Sequence, residues 1–134
     1  MKLNVTAARI VSLAAVVITV LGLASVAAAA GGVAGTYTTT ITSPAELKGK
    51  WVLTLAKGGS YTVSMNGQIL GRGSYTATAK TVTFGRERGG SGCAGQGTYA
   101  LKKTGRNVRF IRTREAASCQ GRAAILAQRF TRVR

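Results

Sequence analysis

Few side chains in this sequence could carry chemistry. There are two cysteines, Cys93 and Cys119, and three acidic residues, the glutamates Glu46, Glu87 and Glu115, with no aspartate and no histidine. That set excludes a Ser-His-Asp triad, a Cys-His pair and any histidine metal ligand. Glu87 is flanked by the opposite charges of Arg86 and Arg88, the wrong setting for a general acid. Glu115 follows Arg114, Glu46 precedes the first core strand, and no pattern brings two carboxylates together across a glycosidic bond. The expectation is a non-enzyme with no catalytic residue, no cofactor and no metal site.

The cysteines carry the sharper reading. In an exported chain an even pair implies one disulfide, Cys93 to Cys119, tying the glycine-rich stretch 86–96 to the segment before a short helix-like run at 121–128. The spacing is not C-x-x-C and no neighbouring base activates either thiol, so a structural bridge is favoured over a redox pair.

Export is read from the first thirty residues. Lys2 and Arg9 precede an apolar run over 10–23, and small residues continue to an A-x-A pattern at Ala28 and Ala30. That is the layout of a cleavable signal peptide over 1–30, leaving one domain over 31–134. The alternative is an uncleaved membrane anchor, since 10–30 nearly spans a bilayer. No cysteine follows the apolar run, which argues against a lipid-anchored start.

Charge is the most extreme property. Against 19 Lys and Arg stand 3 acids, a formal net charge of +16 and a pI near 11.4. Such a surface attracts polyanions, among them nucleic acid, anionic headgroups and acidic cell-envelope polymers. The charges are scattered over strands and turns, so they also read simply as a solubilising surface. No specific nucleic-acid partner is expected.

The elements that must hold these residues are strands. Trp51, Leu53 and Leu55 alternate with Val52, Thr54 and Ala56. After Lys57-Gly58-Gly59-Ser60, Tyr61, Val63 and Met65 alternate with Thr62 and Ser64. Period-2 patterning on both sides of a glycine turn is a hairpin with one buried face. Asn66-Gly67 is a type I′ turn signal, and Gly71 and Gly73 inside the returning strand imply a bend or bulge. Eight strands are predicted, near 37–42, 51–56, 61–65, 68–78, 81–86, 97–102, 107–114 and 129–133. Ile111 interrupts the alternation of Val108 and Phe110, either at a bulge or by exposure at a rim. Eight antiparallel strands close into a small barrel. The fold class is therefore all-β, one antiparallel barrel with a short C-terminal helix as plug or cap.

At this point the residues resemble a family. Gly49-Lys50-Trp51 is similar to the G-x-W signature of lipocalins and the wider calycin superfamily, and Phe130-Thr131-Arg132 to their late basic residue. The run through Tyr61-Thr62-Val63, Gly97-Thr98-Tyr99 and Cys119-Gln120-Gly121-Arg122 resembles small secreted lipocalin-like domains of bacteria. The resemblance covers about 36–134. It implies a barrel signature of Gly49, Trp51 and Arg132, with Arg132 either stacked on Trp51 or in solvent while Trp51 packs as ordinary core, and a small apolar ligand held among Leu53, Leu55, Tyr61, Val63, Tyr75, Val82, Phe84, Tyr99 and Phe110. Each of these also reads as plain barrel core, and at this length the cavity is small or absent.

Three functions follow as expectations: a secreted monomeric carrier of a small apolar ligand; a protein-interaction or protease-inhibitor barrel using the flexible start at 31–35 against a secreted protein; or a basic domain adhering to an anionic cell-envelope polymer.

Overall fold

Alternation decides which way each side chain faces, and the computed structural model, which describes residues 32–89 and 92–134, follows it closely. The signal peptide expected over 1–30 lies outside the described residues. Strand β2 (Gly49–Leu55) buries Trp51, Leu53 and Leu55 and turns Val52 and Thr54 outward. Its neighbours are β1 (Gly35–Ile41) and β3 (Ser60–Met65), followed by β4 (Gln68–Ala77), β5 (Thr81–Phe84), β6 (Gly97–Thr104), β7 (Asn107–Glu115) and β8 (Arg129–Arg132). Each strand pairs antiparallel with the next, and β8 returns to β1 through Tyr37↔Arg132 and Thr38↔Thr131. The result is the expected closed eight-stranded barrel, which leaves no open sheet edge. Strand ends coincide with the expected bounds or differ from them by at most two residues.

The turn chemistry is as predicted at Asn66-Gly67, where both residues take positive φ (50° and 86°) as a type I′ hairpin requires. The bend expected near Gly71 is a bulge: Val63 pairs with Gly71 and Ser64 with Ile69, leaving Leu70 unpaired. Ile111 is resolved as exposure, 48% accessible on the outer face. A second bulge lies just beyond it, because Tyr99 pairs with Arg112 while Thr98 pairs with Arg114, leaving Thr113 as the extra residue.

The interior is aromatic. Phe84 meets Tyr61, Tyr99 and Phe110 edge-on, and Phe110 does the same with Tyr37 and Phe130, the T-shaped arrangement that ring quadrupoles favour. A 3-10 turn at Ala117–Cys119 leads into helix α1 (Gln120–Leu126), which buries Arg122, Ala123, Ile125 and Leu126. At two turns this helix is too short to stand alone. It is held as the plug that the sequence implied, over one end of the barrel.

Candidate ligand cavity and its buried charge network

A cavity of about 460 Å³ lies at the end capped by α1 and opens to the surface, lined by Trp51, Leu53, Val63, Met65, Leu70 and Phe84 from the strands and by Ile125, Leu126 and Phe130 from the cap and closing strand. Trp51, Leu53, Phe84 and Phe130 belong at the same time to the buried core. Of the expected lining residues, Leu53, Tyr61, Val63 and Phe84 reach this wall, and Trp51 joins them. Leu55, Tyr75, Val82, Tyr99 and Phe110 are buried core outside it. Its polar lining comes from Glu46, Gln68, Tyr61, Glu87, Ser118 and Arg122, together with Cys93 and Cys119.

The signature residues have definite places. Trp51 donates from its indole Nε1 to the Leu47 carbonyl at 2.7 Å, fixing the 3-10 turn Ala45–Leu47 beside the cavity. Gly49 is needed because a Cβ there would come within 2.8 Å of the Asn66 amide, whose Oδ1 accepts the Lys50 N–H. Arg132 does not serve Trp51. Its guanidinium lies 5.9 Å from the centre of the Tyr37 ring and donates to the carbonyls of Ala34 (2.6 Å) and Arg134 (3.2 Å). The reason is register: β8 pairs with β1 at Tyr37, so Arg132 fastens the barrel seam.

Lining and backing the cavity is a group of side chains that the sequence did not bring together. Arg122 is 7% exposed. Its Nε and Nη2 donate to the two oxygens of Glu115 at 3.0 and 2.7 Å, and Nη2 also reaches the Gly95 carbonyl at 2.9 Å. Nη1 donates to the Gly85 carbonyl at 2.7 Å and to the Tyr61 hydroxyl at 3.1 Å. A guanidinium has five N–H donors, and here all five are used. Its face lies 5.9 Å from the centre of Phe84.

Four local features put these groups in place. The bulge at Thr113 reverses the facing of Arg114 and Glu115, because a one-residue slip exchanges the two sides of a strand; without it Arg114 would point inward and Glu115 to solvent. Gly97, opposite Glu115 in the ladder, has no Cβ to occupy the space that the carboxylate fills. The Cys93–Cys119 pair, with Cα atoms 4.5 Å apart, joins the loop bearing Gly95 to the start of α1, as expected. Finally, Glu87 turns inward while Arg86 and Arg88 face solvent, so its charge partner is Arg122, 4.0 Å away, and not its chain neighbours.

The electrostatics follow from burial. For Glu115, burial pushes the carboxyl up, but bonds from Arg122, Tyr99 and the Ala116 N–H outweigh it and hold the group below its ordinary value. Arg122 would be pushed down by burial and is raised instead by its bonds to Glu115 and Tyr61. Burial raises the Tyr61 and Tyr99 phenols well above their ordinary value, reinforced by the adjacent glutamates. Tyr61 therefore stays protonated and can donate to Glu87 Oε1 at 3.1 Å or to the Gly85 carbonyl at 3.2 Å.

Comparison with protein-family models, curated proteins and solved structures finds no match. What the chain does must be argued from this cavity and the surface around it.

Proposed function

We propose that this chain is an exported, non-enzymatic binding protein that carries a small, largely apolar ligand in the capped end of its barrel, on the lipocalin pattern that Gly49-Lys50-Trp51 resembles. The supporting observation is the cavity itself. Its volume of about 460 Å³ falls within the roughly 300–1,000 Å³ of ordinary ligand sites, and its wall has the usual make-up of apolar and aromatic side chains with a few polar groups.

Trp51 supplies the test, because it is the only tryptophan and it forms part of the wall. Titration of residues 31–134 with small apolar alcohols and amines should shift or quench its emission saturably. Native mass spectrometry of the exported protein should show a small-molecule adduct. Flat emission together with a bare mass would overturn the reading. The same intact mass checks the signal peptide, which predicts a chain beginning near Gly31.

A second reading rests on a different observation. The sheet register puts Lys102 opposite Arg109 and Arg109 opposite Arg129, three exposed cations in a row across β6, β7 and β8. Like charges directly opposed in a sheet are unfavourable, and a polyanion laid along the row relieves that repulsion. The chain would then adhere to an acidic envelope polymer. Retention on a heparin column should fall steeply with salt and should drop when the three residues are replaced by Gln. Unchanged retention would sink this reading and leave the first intact.

A further inference from the structure

Resting on the cavity reading, we infer that the ligand is an apolar cation: a protonated amine on a hydrocarbon body, with its charged head against Glu87. The basic composition would suggest an anionic ligand such as a fatty acid, but the structure argues otherwise. Among the described residues the only cation in the wall is Arg122, and its five donors are committed to Glu115, Tyr61, Gly85 and Gly95. It has no N–H left for a ligand carboxylate.

Glu87 is placed differently. Its side chain is only 6% exposed and lines the cavity. Oε1 receives the Tyr61 hydroxyl, while Oε2 accepts no hydrogen bond from a described residue. Gly71 makes room for that oxygen, since a Cβ there would lie 2.7 Å from it. Charge accounting points the same way. The single cation Arg122 faces two carboxylates, Glu115 in a bidentate pair and Glu87 at 4.0 Å, which leaves one net negative charge on the inner wall, and Glu46 adds an exposed carboxylate at the rim of the lining. All three acids of a chain with 19 Lys and Arg thus lie in this cavity or directly behind it. A buried carboxylate with an oxygen to spare favours a partner that brings both positive charge and N–H donors.

The experiment compares three probes of one chain length, decylamine, decanol and decanoate, by Trp51 emission near physiological salt and below their micelle concentrations. Decylamine should bind at least about tenfold more tightly than decanoate, with decanol between them, and Glu87→Gln should bring amine and alcohol affinities together. The wild-type comparison decides the matter even if that variant folds poorly. Decanol binding with no preference for the amine, or an amine preference that survives in folded Glu87→Gln, overturns this inference and leaves the cavity reading standing. No binding by any of the three overturns both.

Discussion

Arg122 and Glu115 form a bidentate pair inside the barrel, Nη2 to Oε1 at 2.7 Å and Nε to Oε2 at 3.0 Å, with side chains 4% and 1% exposed. The pair joins α1 to the end of β7, and the remaining guanidinium donors join both to Gly85, Gly95 and Tyr61. One side chain therefore ties the cap to four separate parts of the wall, at Glu115, Gly85, Gly95 and Tyr61. Burying two charges costs desolvation that the attraction must offset, so such a pair specifies geometry more than it adds net stability.

That asymmetry makes the first prediction. Arg122→Met should destabilise by about 3–5 kcal/mol, because it strands Glu115 as a buried unpaired carboxylate. Arg122→Lys should cost a large part of this, since an ammonium offers three donors from a point and cannot reproduce the fork. Adding Glu115→Gln to Arg122→Met should restore stability relative to the single variant. Urea unfolding of the three proteins measures it, and additive losses would contradict the pairing.

Acid should weaken the domain through the same carboxylate. Glu115 is held below its ordinary value when folded, so as pH falls the unfolded chain takes up the proton first. Its contribution is complete above the ordinary carboxylate range and is lost as pH falls through the folded value. Unfolding free energy measured from about pH 7 down to about pH 3 should decline across that window. Glu115→Gln, less stable at neutral pH, should decline less. A parallel decline in both proteins would show that Glu115 is not the group responsible.

What the sequence disclosed and what it hid divide along one physical line. The barrel was legible because burial imposes a period of two: Trp51, Leu53 and Leu55 could face only one way, and Asn66-Gly67 could make only a tight hairpin. The charge network was not, because it depends on parity reversals that leave little trace in composition. The extra residue at Thr113 turns Glu115 inward, although Arg114 and Glu115 together look solvated. Glu87 was masked by two flanking arginines that face the other way. Arg122 stood out only as part of the run after Cys119. The place of Arg132 over Tyr37 is equally hidden, because sequence does not say where β8 meets β1 or which ring its arginine covers.

The disulfide should matter for stability and for the site together. Its cysteines are 26 residues apart, and a closed loop of that size constrains the unfolded chain by about 3–4 kcal/mol. The bridged loop also carries Gly95, whose carbonyl accepts from Arg122, and the Cys93 carbonyl, which accepts the Glu87 N–H at 2.8 Å. Cys93→Ser with Cys119→Ser should lower the urea midpoint accordingly. Amide exchange in the variant should quicken around 85–96 and in α1 before the rest of the barrel opens. Uniform acceleration throughout would mean that the bridge acts only through the unfolded state.

Three glycine-to-alanine changes should differ in size and sign, each for a stated reason. At Gly97 a new methyl falls on the Glu115 carboxylate, which Arg122, Tyr99 and the Ala116 N–H hold on every side and which cannot retreat. Gly97→Ala should therefore destabilise by about 1–3 kcal/mol, the cost of overpacking a filled site. At Gly71 the methyl meets Glu87 Oε2 at 2.7 Å and Val63 Cγ1 at 3.2 Å. That carboxylate has open cavity beside it, so Gly71→Ala should be milder and should show its effect in ligand affinity. At Gly121, in the first turn of α1, an added Cβ meets nothing within 4 Å, and restricting the unfolded chain should stabilise the domain by about 0.4–1 kcal/mol. Thermal or urea melts should thus rank Gly121→Ala above wild type, Gly71→Ala below it and Gly97→Ala lowest. If Gly97→Ala proved as tolerant as Gly71→Ala, Glu115 would have room to move, and the clamp drawn around it would be wrong.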